Sequence, residues 1–124
     1  MAPEAVIVDR REMVHVDRRP WGWFRQYTAN ETTTVKLIRV EPQQVLSLQR
    51  HANRDELWVV LDDGLEIQIG DEVMTAAAGE EYFIPRGTLH RVGAGATSGR
   101  FLEVCFGEFD EDDIERLEDV YGRG

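Results

Sequence analysis

The 124 residues suffice for about one domain, large enough to bury a core without disulfide support, and leave no room for a second catalytic domain. The formal charge of -10 is uneven: residues 108 to 124 hold eight acids against Arg116 and Arg123, a net -6 that leaves -4 for everything before them. A field of that sign repels nucleic acid and acidic membranes, so neither is an expected partner.

In chain order, the N-terminus lacks the basic start and long apolar core of a secretory signal, and no stretch approaches the roughly twenty apolar residues of a membrane helix. A soluble cytoplasmic protein is expected, with His15 at the surface. From Thr32 to Phe106 short runs of Val, Ile, Leu and aromatics are punctuated by Pro42, Asp62-Asp63-Gly64, Gly70-Asp71, Gly79, Pro85-Arg86-Gly87 and Gly93-Ala94-Gly95. Residues 34 to 40 and 65 to 69 alternate apolar and polar at period two, which predicts an all-β sandwich or barrel. The single Cys105 lies in the apolar run from Phe101 to Phe106, has no disulfide partner and reads as a small core residue. At the end, Asp110 is a candidate cap, Glu111-Asp112-Asp113 suits a helix N-terminus, Ile114, Leu117 and Tyr121 form one stripe, and Gly122 is a stop. A short amphipathic helix over about 110–121, docked on the barrel, follows. Its acids read as solvated, because their spacing lacks the glycine and ligand pattern of an EF-hand loop.

Two blocks carry the chemistry. The first runs from Gln49 to Trp58 and contains His51 and Glu56; the second runs from Gly79 to His90. In an extended segment Gln49 and His51 face the same side. With His90 and Glu56 they offer two imidazole nitrogens and two oxygens, a mixed set suited to one manganese, iron, cobalt, nickel or zinc ion. Pro85 and Gly87 predict a tight turn that returns the chain to a strand carrying His90. All cations except Lys36 are arginines, whose planar fork suits phosphate or carboxylate.

The second block resembles the cupin pattern G-x5-P-x-G-x2-H at Gly79, Pro85, Gly87 and His90. The first resembles the other cupin motif, H-x-H-x4-E, with Gln49 replacing its first histidine. That variant is similar to the cupin domain of type II phosphomannose isomerases, with signature P-G-x-R-L-S-L-Q-x-H-x-x-R-x-E-H-W. The resemblance extends to Arg19-Pro20-Trp21-Gly22-Trp23, which looks like an entry strand, to Leu46-Ser47-Leu48-Gln49, and to the stretch from Glu111 to Tyr121-Gly122-Arg123. It implies a single cupin domain over 1–124, a double-stranded β-helix (jelly-roll barrel) over about 16–107, and one divalent ion on Gln49, His51, Glu56 and His90. The implied activity is a metal-dependent aldose-ketose isomerisation of a sugar phosphate, of the mannose-6-phosphate isomerase type, by a stand-alone cupin. A proton moves between C1 and C2 through an enediol, and Lys36, Arg54 and Arg123 match positions that contact substrate. Cupins of this kind commonly pair, so a homodimer is expected, with Trp21-Gly22-Trp23-Phe24 as a docked or exchanged strand.

Departures from the pattern are specific. The motif's glycine is Gln43, its arginine before Leu-Ser-Leu is Val45, its histidine after the glutamate is Leu57, and its turn glycine comes one position late at Gly64. A nucleotidyltransferase segment with a glycine-rich phosphate loop, present in many relatives, is absent here, so sugar-nucleotide synthesis is not expected. Val45 and Leu57 keep open a non-catalytic sugar or sugar-phosphate binding module. A third reading is another metal-dependent cupin enzyme, such as a dioxygenase or lyase, because the fold carries many chemistries.

Overall fold

The period-two pattern becomes eleven strands in a computed structural model that describes residues 7–119 and 121. After a 3-10 turn at Arg10–Met13 come β1 (His15–Arg19), β2 (Gly22–Gln26), β3 (Thr33–Val40), β4 (Leu48–Arg50), β5 (Asp55–Val60) and β6 (Glu66–Ile69). They are followed by β7 (Glu72–Thr75), β8 (Glu81–Ile84), β9 (His90–Gly93), β10 (Gly99–Phe106) and β11 (Glu115–Glu118). Two antiparallel sheets, ordered β3-β10-β5-β8 and β11-β4-β9-β6-β7, form the expected jelly-roll barrel, and β1 and β2 make a separate hairpin. No helix among the described residues is long and apolar enough to cross a membrane.

Inward residues of both sheets, among them Val40, Trp58, Val60, Ile67, Ile84, Val92 and Phe101, pack one buried core. Trp58 sits at its centre, with ring centroids 5.1 Å from Phe101 and 5.4 Å from His90. Strand alternation puts Leu57, Val104 and Phe106 on the opposite face, where they form a second cluster with Tyr27. The N-terminal segment covers that face: Arg10 stacks over the Phe106 ring at 3.9 Å, and Arg25 and Tyr27 both bond the Glu81 carboxylate.

Two expectations are corrected. The segment from Arg19 to Trp23 is a hairpin and not one entry strand: β1 ends at Arg19, and Pro20-Trp21 turns the chain into β2. The helix expected over 110–121 is not formed among the described residues of that stretch; a turn at Asp110–Asp113 leads into β11, which pairs with β4. A lone helix that short is marginal in water, whereas β4 presents an open row of backbone donors and acceptors that the segment satisfies.

Gln43 stands where the motif has glycine and adopts φ +62°, with its backbone N–H donating to the carbonyl of Gly95 at 2.8 Å. Its side chain is exposed, so nothing on the barrel needs it. An L-residue in this region costs roughly 1–2 kcal/mol, against about 0.5–1 kcal/mol for the extra chain entropy of glycine. Gln43→Gly is therefore expected to stabilise the fold by about 0.5–1 kcal/mol. A urea midpoint unchanged or lowered in the variant would contradict that account.

Candidate metal centre

The polar residues of the two motifs converge on one cavity of about 520 Å³, a size usual for small-molecule sites. Its wall includes Gln49 from β4, His51 and Arg54 from the segment after it, His90 from β9, Lys36 from β3 and Glu103 from β10. Pairing sets these positions: Gln49 lies opposite His90, and Glu103 lies between Lys36 and Trp58. The Pro-x-Gly turn ties the motifs together. Gly87, at φ +80°, donates its N–H to the carbonyl of His51 at 2.7 Å, and Thr88 N donates to Pro85 O.

Glu56, fully buried, is the hub. Its Oε1 accepts from Trp58 Nε1 at 3.1 Å, and its Oε2 accepts from Arg54 Nε at 3.0 Å and more distantly from Cys105 Sγ at 3.8 Å. His51 Nε2 lies 3.4 Å from Oε2, and His90 Nε2 lies 3.8 Å from Oε1. Each imidazole has its Nδ1 against a carbonyl, His51 on Asp113 at 2.6 Å and His90 on Thr88 at 2.9 Å. A carbonyl only accepts, so both rings carry the proton on Nδ1 and turn the Nε2 lone pair toward Glu56. His51 Nε2 accepts from Arg54 Nη2 at 3.1 Å, while His90 Nε2 is buried without a partner. Donor atoms of His51, Glu56 and His90 all lie within 4.8 Å of one another. A divalent ion fits this group: the lone pairs point inward, the set is mixed N/O, and one donor is an orphan.

Burial holds both histidines below their ordinary value, so both are neutral at pH 7. Burial raises the Glu56 carboxyl, but His90, a hydrogen bond with Glu103, His51 and Arg54 together outweigh it and leave it low. Glu103 goes the other way: burial and the neighbouring Glu56 push it up to about 8. The pair behaves as two carboxyls sharing one proton, with Glu103 the donor. Burial likewise raises the Cys105 thiol, which is free and buried as expected of a core residue.

Lys36 points inward and not to solvent, since Val35 and Leu37 take the exposed face, and its Nζ lies 4.4 Å from the Phe109 ring centroid. Arg54 is buried with all three guanidinium nitrogens on protein groups, Glu56, His51 and the Asp110 carbonyl, under the same ring. Gln49 lines the cavity, and its Oε1 accepts from Ser47 Oγ at 2.9 Å. Arg123 lies outside the described residues. Neither Val45 nor Leu57 reaches the cavity: Leu57 belongs to the opposite face of its sheet, and Val45 packs on Gly93 outside it. Glu103 was missed, although a glutamate at an inward position between Phe101 and Cys105 is a signal. Asp113 was missed because its role depends on contacts 60 residues away.

Asp113 clamps the segment that carries His51. Its Oδ1 and Oδ2 accept from Ala52 N at 2.8 Å and Asn53 N at 2.9 Å, beyond the carbonyl contact to His51. Burial raises this carboxyl, and the two N–H donors, with His51 and Arg54, lower it by more. Asp113→Ala is expected to cost about 2 kcal/mol of stability, the range for bonds to a charged acceptor. Because the folded value is depressed, the stabilisation is complete above the unfolded value of 3.8 and fades as pH falls below it. Urea titrations at pH 7 and pH 3 that gave the same difference between wild type and variant would contradict this.

The sequence model of the family described as Mannose-6-phosphate isomerase C-terminal matches residues 8–119. The xanthan biosynthesis protein XanB of Xanthomonas campestris pv. campestris is 39% identical over 107 residues, covering 85% of this chain and 23% of its own. The mannose-1-phosphate guanylyltransferase ManC of Salmonella typhimurium is 37% identical over 125 residues, covering 97% of this chain and 26% of its own. This chain thus spans about a quarter of the length of these relatives. Among solved structures, the capsular polysaccharide assembling protein CapF from Staphylococcus aureus superposes with TM-score 0.62 at 19% identity, over 85% of this chain and 34% of that one. Motif spacing, barrel topology and these matches agree, and the chain belongs to the cupin family of mannose-6-phosphate isomerase C-terminal domains.

Proposed function

We propose that this chain is a metal-dependent aldose-ketose isomerase acting on a sugar phosphate, of the mannose-6-phosphate isomerase type, with one divalent ion on Gln49, His51, Glu56 and His90. The observation that carries the reading is the partnerless Nε2 of His90, buried and turned toward the same point as His51 Nε2 and the Glu56 carboxylate beneath the cavity. The four proposed ligands would hold the ion, and the chemistry it would supply there is polarisation of a carbonyl or hydroxyl oxygen of the sugar. Isomerisation further needs a group that lifts a proton from one carbon and returns it to its neighbour. Glu103 is the buried carboxyl on the cavity wall outside the proposed ligand set, and we assign it that role in its ionised form, which a cation held on Glu56 would favour by offsetting the neighbouring charge that keeps Glu103 protonated. Lys36, facing it across the β3–β10 ladder, is placed to orient sugar oxygens. Arg54 holds Glu56 ionised and His51 in place. Because Val45 and Leu57 lie off the cavity, a binding module without catalysis gains no support from them.

The test is the purified chain loaded in turn with manganese, iron, cobalt, nickel and zinc and offered mannose 6-phosphate. Fructose 6-phosphate should form with at least one ion. His51→Ala and His90→Ala should each lose stoichiometric metal by elemental analysis. Glu103→Gln should keep its metal and lose turnover by about 100-fold or more, the scale of general acid-base catalysis. Full metal occupancy in both histidine variants would overturn the ligand assignment, and tight substrate binding without turnover on any ion would overturn the isomerase.

A homodimer belongs to the same proposal. Its support is exposed apolar surface: Trp21 and Trp23 of the hairpin are 73% and 56% exposed, and edge strand β3 shows Val35 and Leu37 to solvent. Light scattering at micromolar concentration should give twice the mass of one 14.2 kDa chain, and the mass of a single chain would rule pairing out.

A further inference from the structure

The cations of the cavity wall differ in what they have left to give. Arg91 Nη1 is paired with Glu118 at 3.0 Å, Arg54 is engaged on all three nitrogens, and Lys36 lies over Phe109. Arg116 of β11 lines the same cavity, yet its side chain makes no hydrogen bond or ion pair among the described residues, and its Nε is buried without a partner. The acids on either side of it are committed elsewhere, Glu115 to Arg50 and Glu118 to Arg91. Exposed Glu111 and Asp112 share the wall and oppose an anion at the rim, but neither pairs with it.

A buried charged donor without an acceptor is costly, and a planar guanidinium matches two oxygens of a phosphate. Register fixes where such a phosphate would sit. Arg116 lies directly opposite Gln49 in the β4–β11 ladder, so the two side chains leave the sheet as neighbours on the cavity side. We propose that Arg116 anchors the phosphate of a phosphomonoester sugar, with the sugar extending from there toward Gln49, His51 and His90. This rests on the sugar-phosphate reading above. Arg54, whose guanidinium is already occupied, has no fork left for a phosphate, and the contact falls to a residue of the C-terminal strand.

The test is calorimetry of the full metal-loaded chain with mannose 6-phosphate and with mannose, alongside turnover. Arg116→Gln should weaken mannose 6-phosphate binding at least tenfold while leaving mannose binding and metal content as in wild type. Arg100→Gln removes the same charge from an exposed pair with Asp62 and should bind like wild type. Unchanged affinity in Arg116→Gln, an equal loss in Arg100→Gln, or no binding of the sugar phosphate by wild type would each overturn the anchor. If Arg116→Gln does not fold, Arg116→Lys decides, since it keeps the charge without the fork: an intermediate loss supports the anchor, and wild-type affinity overturns it. Arg116-dependent binding without turnover keeps the anchor and removes the isomerase; turnover with unchanged KM in Arg116→Gln does the reverse.

Discussion

Everything at this site follows from placing one carboxylate, Glu56, where water does not reach. Left alone there, the charge would cost several kcal/mol or be lost to a proton. Four donors answer it: the Trp58 indole, the Arg54 guanidinium, the protonated Glu103 and, more distantly, the Cys105 thiol, while the two neutral imidazoles turn lone pairs toward it and leave room for a cation between. Each of those is itself constrained. Trp58 is held against Phe101, Arg54 against Phe109, His51 by Asp113 and His90 by Thr88. The barrel core and the polar cluster are thus two faces of one packing arrangement, with Trp58 belonging to both.

The second carboxyl gives the site its chemical asymmetry. Glu56 and Glu103 come from neighbouring strands and face the same interior, so their charges cannot both be supported there. The arginine and the indole N–H favour ionised Glu56, and the proton goes to Glu103. Two residues of one type are thereby given different protonation states by their surroundings alone.

Much of the barrel was readable in the sequence, because period-two alternation and turn residues are local signals and the outcome agrees with them along β3 and β6. The convergence of His51, Glu56 and His90 was readable for the same reason: His51 and Glu56 sit within one short segment, and Pro85-x-Gly87 sets the turn before His90. What was not readable depends on register between distant segments. Glu103 matters because it falls between Lys36 and Trp58, and Arg116 because it falls opposite Gln49. Residues 110 to 121 satisfied every local criterion for a helix, and the open edge of β4 prevailed over them. Leu57 looked like a lost site residue by adjacency to Glu56, whereas adjacency in a strand means opposite faces.

β11 pairs with the three-residue strand β4 while none of its four residues enters the barrel core. The core itself is packed by residues of both large sheets without a contribution from β11. A strand fastened by backbone bonds and surface ion pairs can lift away at a small fraction of the cost of global unfolding. The wall that bears Arg116 and the clamp that orients His51 therefore share one segment, and its opening would take the site apart while the two-sheet core stayed packed.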